Sequence, residues 1–251
     1  MKDFISKKPL TFAIGLVVIS QLLEILVFIT GSSIGIPEIA LVITVLLIST
    51  AIPIGFIWRL GWWKDAGFVT TTYNVPALLV PFLLILIPLL FFGTVEIEPG
   101  IAGVIIVFFF LTALSEEAMS RGLLVRVFLP QGKLRAVLIP SVLFALLHLT
   151  QLLHGMALES NLFQIFNAFV SGLLYGSVRL RINNIWPLIA IHMLFDISAG
   201  ISGVFGPAAV YELSDIPITI WLLMWIPSLL ASIYLIRKPS TATIDGQQIS
   251  N

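Results

Sequence analysis

Phe108-Phe-Phe-Leu-Thr-Ala-Leu-Ser-Glu-Glu-Ala-Met-Ser-Arg121 decides the fold. A long apolar run closes on two adjacent glutamates, Glu116 and Glu117, and Arg121 follows four residues after the second. A carboxylate placed in hydrocarbon costs at least ~2.5–3.5 kcal/mol on insertion scales. Two in succession, in a chain where only 10% of residues are charged and 59% are hydrophobic, need chemistry or transport to keep them there. A soluble domain carries about 25% charged residues, so this composition is that of an integral membrane protein.

Outward from this stretch, runs long enough to cross a ~30 Å hydrocarbon core fall at about 9–30, 38–58, 76–93, 100–129, 134–154, 162–179, 185–204 and 217–236. The expectation is an all-α, polytopic bundle of about eight transmembrane helices with both termini cytoplasmic. Turn residues mark the breaks: Gly31-Ser-Ser, Gly61 to Gly67, Glu98-Pro-Gly100, Pro130-Gln-Gly132, Asn183-Asn184 and Gly206-Pro207. Pro76, Pro81 and Pro88 are expected to kink the third span.

Basic residues test the topology. With eight spans, one side holds Lys2, Lys7, Lys8, Arg59, Lys64, Arg121, Arg126, Lys133, Arg135, Arg179, Arg181, Arg237 and Lys238, all 13 of them. The other side holds Glu38, Glu96, Glu98, Glu159, Glu212 and Asp215 and no base. That is the positive-inside pattern, and the short loops, the lack of cysteine and the lack of an organellar signal suggest a prokaryotic cell (cytoplasmic) membrane. Met1 to Lys8 resembles the start of a signal peptide, but the apolar stretch after it is too long and lacks a clean cleavage site, so it reads as an uncleaved first span. Residues 1–238 read as a single transmembrane domain and 239–251 as a polar, disordered tail. Zero net charge gives no pull toward nucleic acid, and the absence of cysteine excludes thiol nucleophiles and thiolate metal sites. The bilayer and a membrane-associated peptide or protein are the expected partners.

Few ionisable residues lie deep in the spans: Glu24, Glu116, Glu117, His148, His192 and Asp196, with His154 at the outer end of the fifth. Glu116 is fourteen residues from Pro130, His148 fourteen past Leu134, and His192 and Asp196 ten and fourteen past Ile182. At 1.5 Å per residue these are depths of ~15–21 Å, so three helices bring acid–base residues to one level. Glu117 and Arg121, at i and i+4, share a face and can pair. Glu116, turned ~100° away, is then the free carboxylate. Phe144 with His148, and His192 with Asp196, are also i,i+4 pairs; the second suits a carboxylate that fixes a histidine tautomer, or two ligands on one face. Glu24 has no evident partner and reads as a packing or water-facing residue. Gly172-Leu-Leu-Tyr-Gly176 reads as close helix packing, and Trp58, Trp62 and Trp63 as an interfacial aromatic belt.

At these residues the chain resembles the CAAX-protease and bacteriocin-processing family of intramembrane proteases, also called type II CAAX endopeptidases or the abortive-infection family. Its Glu-Glu-x-x-x-Arg-Gly motif stands as Glu116-Glu117-Ala-Met-Ser-Arg121-Gly122, and its Phe-x-x-x-His as Phe144-Ala-Leu-Leu-His148. Phe-x-x-Gly-x-x-x-Gly stands as Phe169 to Gly176, and His-x-x-x-Asn/Asp as His192-Met-Leu-Phe-Asp196. Each motif alone is weak, but the four in order over about 100–200 are specific. Ser120 stands where an aromatic is common. Asp196 stands where the eukaryotic prenyl-protein proteases have asparagine; an ionised aspartate cannot donate to an oxyanion, so it orients His192, sits protonated or helps hold a metal.

The resemblance implies an endopeptidase acting at or within the membrane. Its site would comprise Glu116, His148, His192 and Asp196, supported by Glu117, Arg121 and Phe144. Without a thiol or a well-placed serine, water is the nucleophile. Glu116 would act as general base on a water shared with His148, and His192 would stabilise the oxyanion with Asp196 setting its orientation. No cofactor is obligatory in this scheme. The metalloprotease variant would hold zinc through Glu116, His148 and His192. Two other classes use the same residue types: an ion- or proton-coupled transporter, and a non-catalytic bacteriocin-immunity or scaffold protein.

Overall fold

The computed structural model describes residues 1–69, 74–97, 99–204, 210–244 and 247–248, apart from the side chains of Pro99, Ile101, His154 and residues 243–248. Glu98 and the Gly206-Pro207 break lie outside these residues, as does the side chain of His154. After a short helix α1 (Lys2–Lys7) come α2 (Pro9–Ser33) and α3 (Glu38–Leu60). The next span is split into α4 (Val75–Leu84) and α5 (Leu86–Phe92). The motif helix runs as α6 (Pro99–Glu117), a π-helical stretch (Ala118–Leu124) and α7 (Val125–Phe128). Then come α8 (Lys133–Leu147), continued by a 3₁₀ turn (His148–His154), α9 (Leu158–Arg181), α10 (Trp186–Ile201) and α11 (Ile218–Ile236). Each of the eight expected runs is helical among the described residues, and the only strands among them are two-residue pieces, Thr243–Ile244 against Gln247–Gln248.

Six of these helical segments are long and apolar enough to cross a membrane, which makes this a multi-pass membrane protein. The two that fall short are α9 and α10. The first has 24 residues but carries Glu159, Asn161, Gln164, Asn167 and Ser171; the second has only 16. The polar residues Ser160, Asn161 and Asn167 of α9 are buried against other helices, where such groups are tolerated; α10 is apolar and falls short in length alone.

The expected kink in the third span falls at Ile85, which keeps helical backbone angles (φ −57°, ψ −30°) between α4 and α5. It falls just after Leu84, the residue whose carbonyl the ring of Pro88 would strike. The Ile85 carbonyl is satisfied by Ser198 Oγ of α10 at 2.5 Å. Close packing by Gly172 and Gly176 is equally direct. A Cβ on Gly172 would sit 2.8 Å from Ser141 Cβ, and one on Gly176 would sit 3.1 Å from Val137 Cγ1, both on α8.

The tryptophan cluster does not act as a uniform belt. Trp58 is 69% exposed, but Trp62 is buried beneath the Arg126 guanidinium, 4.5 Å from its ring, and Trp63 packs edge-on against Phe68. This loop is a hub. Asp65 pairs with Arg126 at 2.8 Å, and buried Arg179 donates to the Asp65 carbonyl at 2.6 Å and to Asn183 at 2.8 Å. Gly67, at φ +86°, lies where a side chain would meet Arg179, and its carbonyl accepts from Ile185 N at 3.0 Å. The turn that launches α10 is thus pinned to the α3–α4 loop. Beyond α11, where composition suggested disorder, Thr241 N donates to the Leu180 carbonyl at 2.8 Å and Ala242 is buried.

Candidate active site

α6 ends where its sequence changes character, and the π-helical stretch begins immediately after Glu117. Such stretches concentrate at functional sites because they re-aim side chains. The i,i+4 pair forms as expected, with Arg121 Nη1 3.0 Å from Glu117 Oε1 and both side chains almost wholly buried. Glu116 points away from it and keeps 27% of its side chain exposed.

His148 sits at the junction of α8 and the 3₁₀ turn. Its Nδ1 donates to the Phe144 carbonyl at 3.1 Å, leaving Nε2 as an acceptor. The Phe144 ring meets the His148 ring edge-on at 5.1 Å and also carries the Arg121 guanidinium at 4.6 Å. Asn161 of α9 donates to the His148 carbonyl at 2.8 Å, which anchors this helix end.

His192 stands among three carboxylates. Its Nδ1 lies 2.9 Å from Glu117 Oε1, and its Nε2 lies 3.6 Å from Glu116 and 3.5 Å from Asp196. The carboxylate on Nδ1, which fixes ring orientation, is Glu117, reached across helices; Asp196 approaches the opposite nitrogen. Spacing within α10 could show that His192 and Asp196 share a face, but not that α6 offers a nearer, fully buried acceptor.

Glu116, Arg121, Phe144, His148, His192 and Asp196 all line one cavity of about 240 Å³. The matched depths therefore mark one shared site. Glu117 lies just behind its wall. Two more wall residues were missed. Tyr175 lies between Arg121 and His192, with its ring 5.4 Å from the guanidinium and 5.6 Å from the imidazole. Asn167 is buried on α9 and accepts from Trp225 Nε1 at 3.2 Å. A tyrosine inside the glycine motif and an amide in an apolar helix were the available signals.

Glu24, without a partner in the sequence reading, has two. Gln21 Nε2 donates to it at 2.8 Å, and Ser49 Oγ of α3 at 2.7 Å.

The histidine tautomers suit a metal only in part. Each has Nδ1 engaged and Nε2 left for a ligand, and His192 Nε2 lies 3.6 Å from Glu116, but among the described residues no group of three His, Cys, Asp or Glu side chains is arranged as a ready metal site.

Among curated proteins and solved structures, no significant match is found. Residues 98–198, which carry all four motifs and every candidate catalytic residue, match the family model described as Rce1-like, type II CAAX prenyl endopeptidase, the family that the motifs resemble.

Proposed function

We propose that this protein is an intramembrane endopeptidase that hydrolyses a peptide bond with a water activated by Glu116 and His148. One observation carries the reading: Glu116, His148 and His192 come from three helices to line a single cavity, while Arg121 is occupied by Glu117. The family match supports it and does not favour a transporter.

The chemistry follows from the available lone pairs. His148 donates through Nδ1 to a backbone carbonyl, so Nε2 accepts one proton of the water. Glu116 accepts the other and, as general base, takes it when the oxygen attacks the scissile carbonyl. His192 donates through Nδ1 to Glu117. A proton on Nε2 then makes it an imidazolium, the form able to stabilise the oxyanion. Glu116 subsequently returns its proton to the leaving amine. Asp196, beside Nε2, holds that donor ring in place alongside Glu117. Arg121 neutralises Glu117, and Phe144 supports both Arg121 and His148.

In this reading all eight helical runs span the bilayer, with α9 and α10 shielded inside the bundle. Both termini face the cytoplasm, and the membrane is a cytoplasmic one. The substrate is a membrane-associated peptide.

The test is cleavage of a panel of fluorogenic prenylated or lipidated peptides by the purified protein in detergent. Wild type is compared with Glu116→Ala, each with and without a strong chelator. Turnover that is lost in the variant and kept with chelator is the expected result. Loss with chelator would replace the glutamate-water scheme with a metalloprotease, and undiminished turnover in Glu116→Ala would sink both.

A further inference from the structure

A second cavity, of about 200 Å³, lies on the α2–α3 side of the motif helix. It shares Glu116, His148 and Gln151 with the first cavity but not His192, Arg121 or Asp196. Its remaining polar wall comprises Ser20, Gln21, Glu24, Ser49, Ser115 and Thr150, and it contains no Phe, Tyr or Trp. The first cavity is walled by Phe108, Phe109, Phe144, Tyr175 and Phe195.

Glu24 decides what fills this space. It stands within the apolar helix α2, and its two hydrogen bonds come from the neutral groups of Gln21 and Ser49. A carboxylate offers about four lone-pair sites, so those two bonds leave further acceptor capacity open to the cavity. Leaving it to hydrocarbon would cost at least ~2.5–3.5 kcal/mol. A cavity of this size with several polar partners holds a number of waters.

From this arrangement we infer that the α2–α3 cavity is a solvent chamber, kept wet by Glu24, which supplies the hydrolytic water to Glu116 and His148 from the face opposite the peptide. The inference rests on the endopeptidase reading above. In that reading the oxyanion donor His192 lines only the first cavity, so the scissile carbonyl must lie there. Glu116 and His148 line both cavities, so they can take water from the chamber while a peptide fills the other. Such an arrangement answers a general difficulty of hydrolysis in a membrane: the bound substrate blocks its own side to solvent.

The chain has no cysteine, so single cysteines report solvent directly. In proteoliposomes, Ser49→Cys and Thr150→Cys should react with a charged methanethiosulfonate at least about ten times faster than Leu47→Cys, which lies two residues from Ser49 on the exposed side of α3. Equal rates would overturn the chamber. Adding a farnesylated peptide from the panel in a Glu116→Gln background should protect Ser171→Cys, in the first cavity, and leave Ser49→Cys reactive. Protection of Ser49→Cys overturns the assignment of faces. An unprotected Ser171→Cys counts against the peptide reading and leaves the chamber standing on its labelling. In turnover, Glu24→Leu should lower kcat about tenfold with KM unchanged, and Glu24→Gln, which keeps the wall polar, should stay within about twofold of wild type. An unaltered kcat in Glu24→Leu overturns the supply role.

Discussion

At Glu117 one carboxylate oxygen takes both the Arg121 guanidinium, at 3.0 Å, and His192 Nδ1, at 2.9 Å. Its neighbour Glu116 makes only a 3.6 Å approach to His192 and faces two cavities. Two identical side chains, one residue apart, thus differ in what depends on them. Glu116→Gln should remove the general base and cut kcat by about 10²–10⁴-fold, yet leave thermal stability close to wild type. Glu117→Leu should also lose activity, because His192 loses its orienting acceptor. It should in addition destabilise the fold by ~3–5 kcal/mol, since the buried Arg121 guanidinium is left unpaired. The check is kcat beside thermal unfolding of both variants in the same detergent. Equal melting temperatures for the two would refute the division of roles. The difference between these glutamates was legible in the sequence from helical phase alone. The Glu117–His192 contact was not, because it depends on the rotation of α10 about its own axis, which nothing local in the sequence sets.

Helix packing shows the same boundary between local and global information. The pattern Gly172-x-x-x-Gly176 announces a close approach, and α8 is the helix that approaches. A methyl on Gly172 would overlap Ser141, whose Cβ lies 2.8 Å and Cα 3.0 Å from it, so α8 and α9 must part. Gly172→Ala should therefore destabilise by about 1–3 kcal/mol, the usual cost of overpacking. Because α8 carries His148 and α9 carries Asn161, which holds the His148 carbonyl, it should also lower activity more than the stability loss implies. Combining it with Ser141→Gly should restore part of both, read by unfolding temperature and by kcat/KM. A fully additive double variant would show that the contact is not what matters. Which helix lay opposite was beyond the sequence, as was the place of the kink at Ile85, whose carbonyl accepts from Ser198 on α10. Proline content foretold a distortion there; the hydroxyl that bonds the Ile85 carbonyl belongs to another segment. The π-helical stretch after Glu117 had no sequence signal that we recognise.

For the whole molecule, the arrangement of bases carries the topology, and the structure alters their weight. Arg121, Arg126 and Arg179 are buried and engaged in the bundle or in the Asp65 hub. They are structural cations and say little about which side faces the cytoplasm. The exposed bases, among them Lys2, Lys7, Lys8, Arg59, Lys64, Arg135, Arg237 and Lys238, still fall on one side if α9 and α10 both cross. Those two helices are the ones that length and composition do not mark as spans, so whether they cross as a pair decides whether the termini share a side. If only one crossed, the termini would face opposite sides and Arg237 and Lys238 would lie across the membrane from Lys7 and Lys8, against the positive-inside pattern. A fluorescent protein that folds only in the cytoplasm should therefore shine when fused after Asn251 and when fused before Met1. An alkaline phosphatase, active only outside, should be silent at both ends and active when inserted between Met156 and Ala157. Phosphatase activity at Asn251 with fluorescence at Met1 would mean an odd number of crossings. Since α10 carries His192 and Asp196, that result would also remove the shared depth on which the proposed site depends.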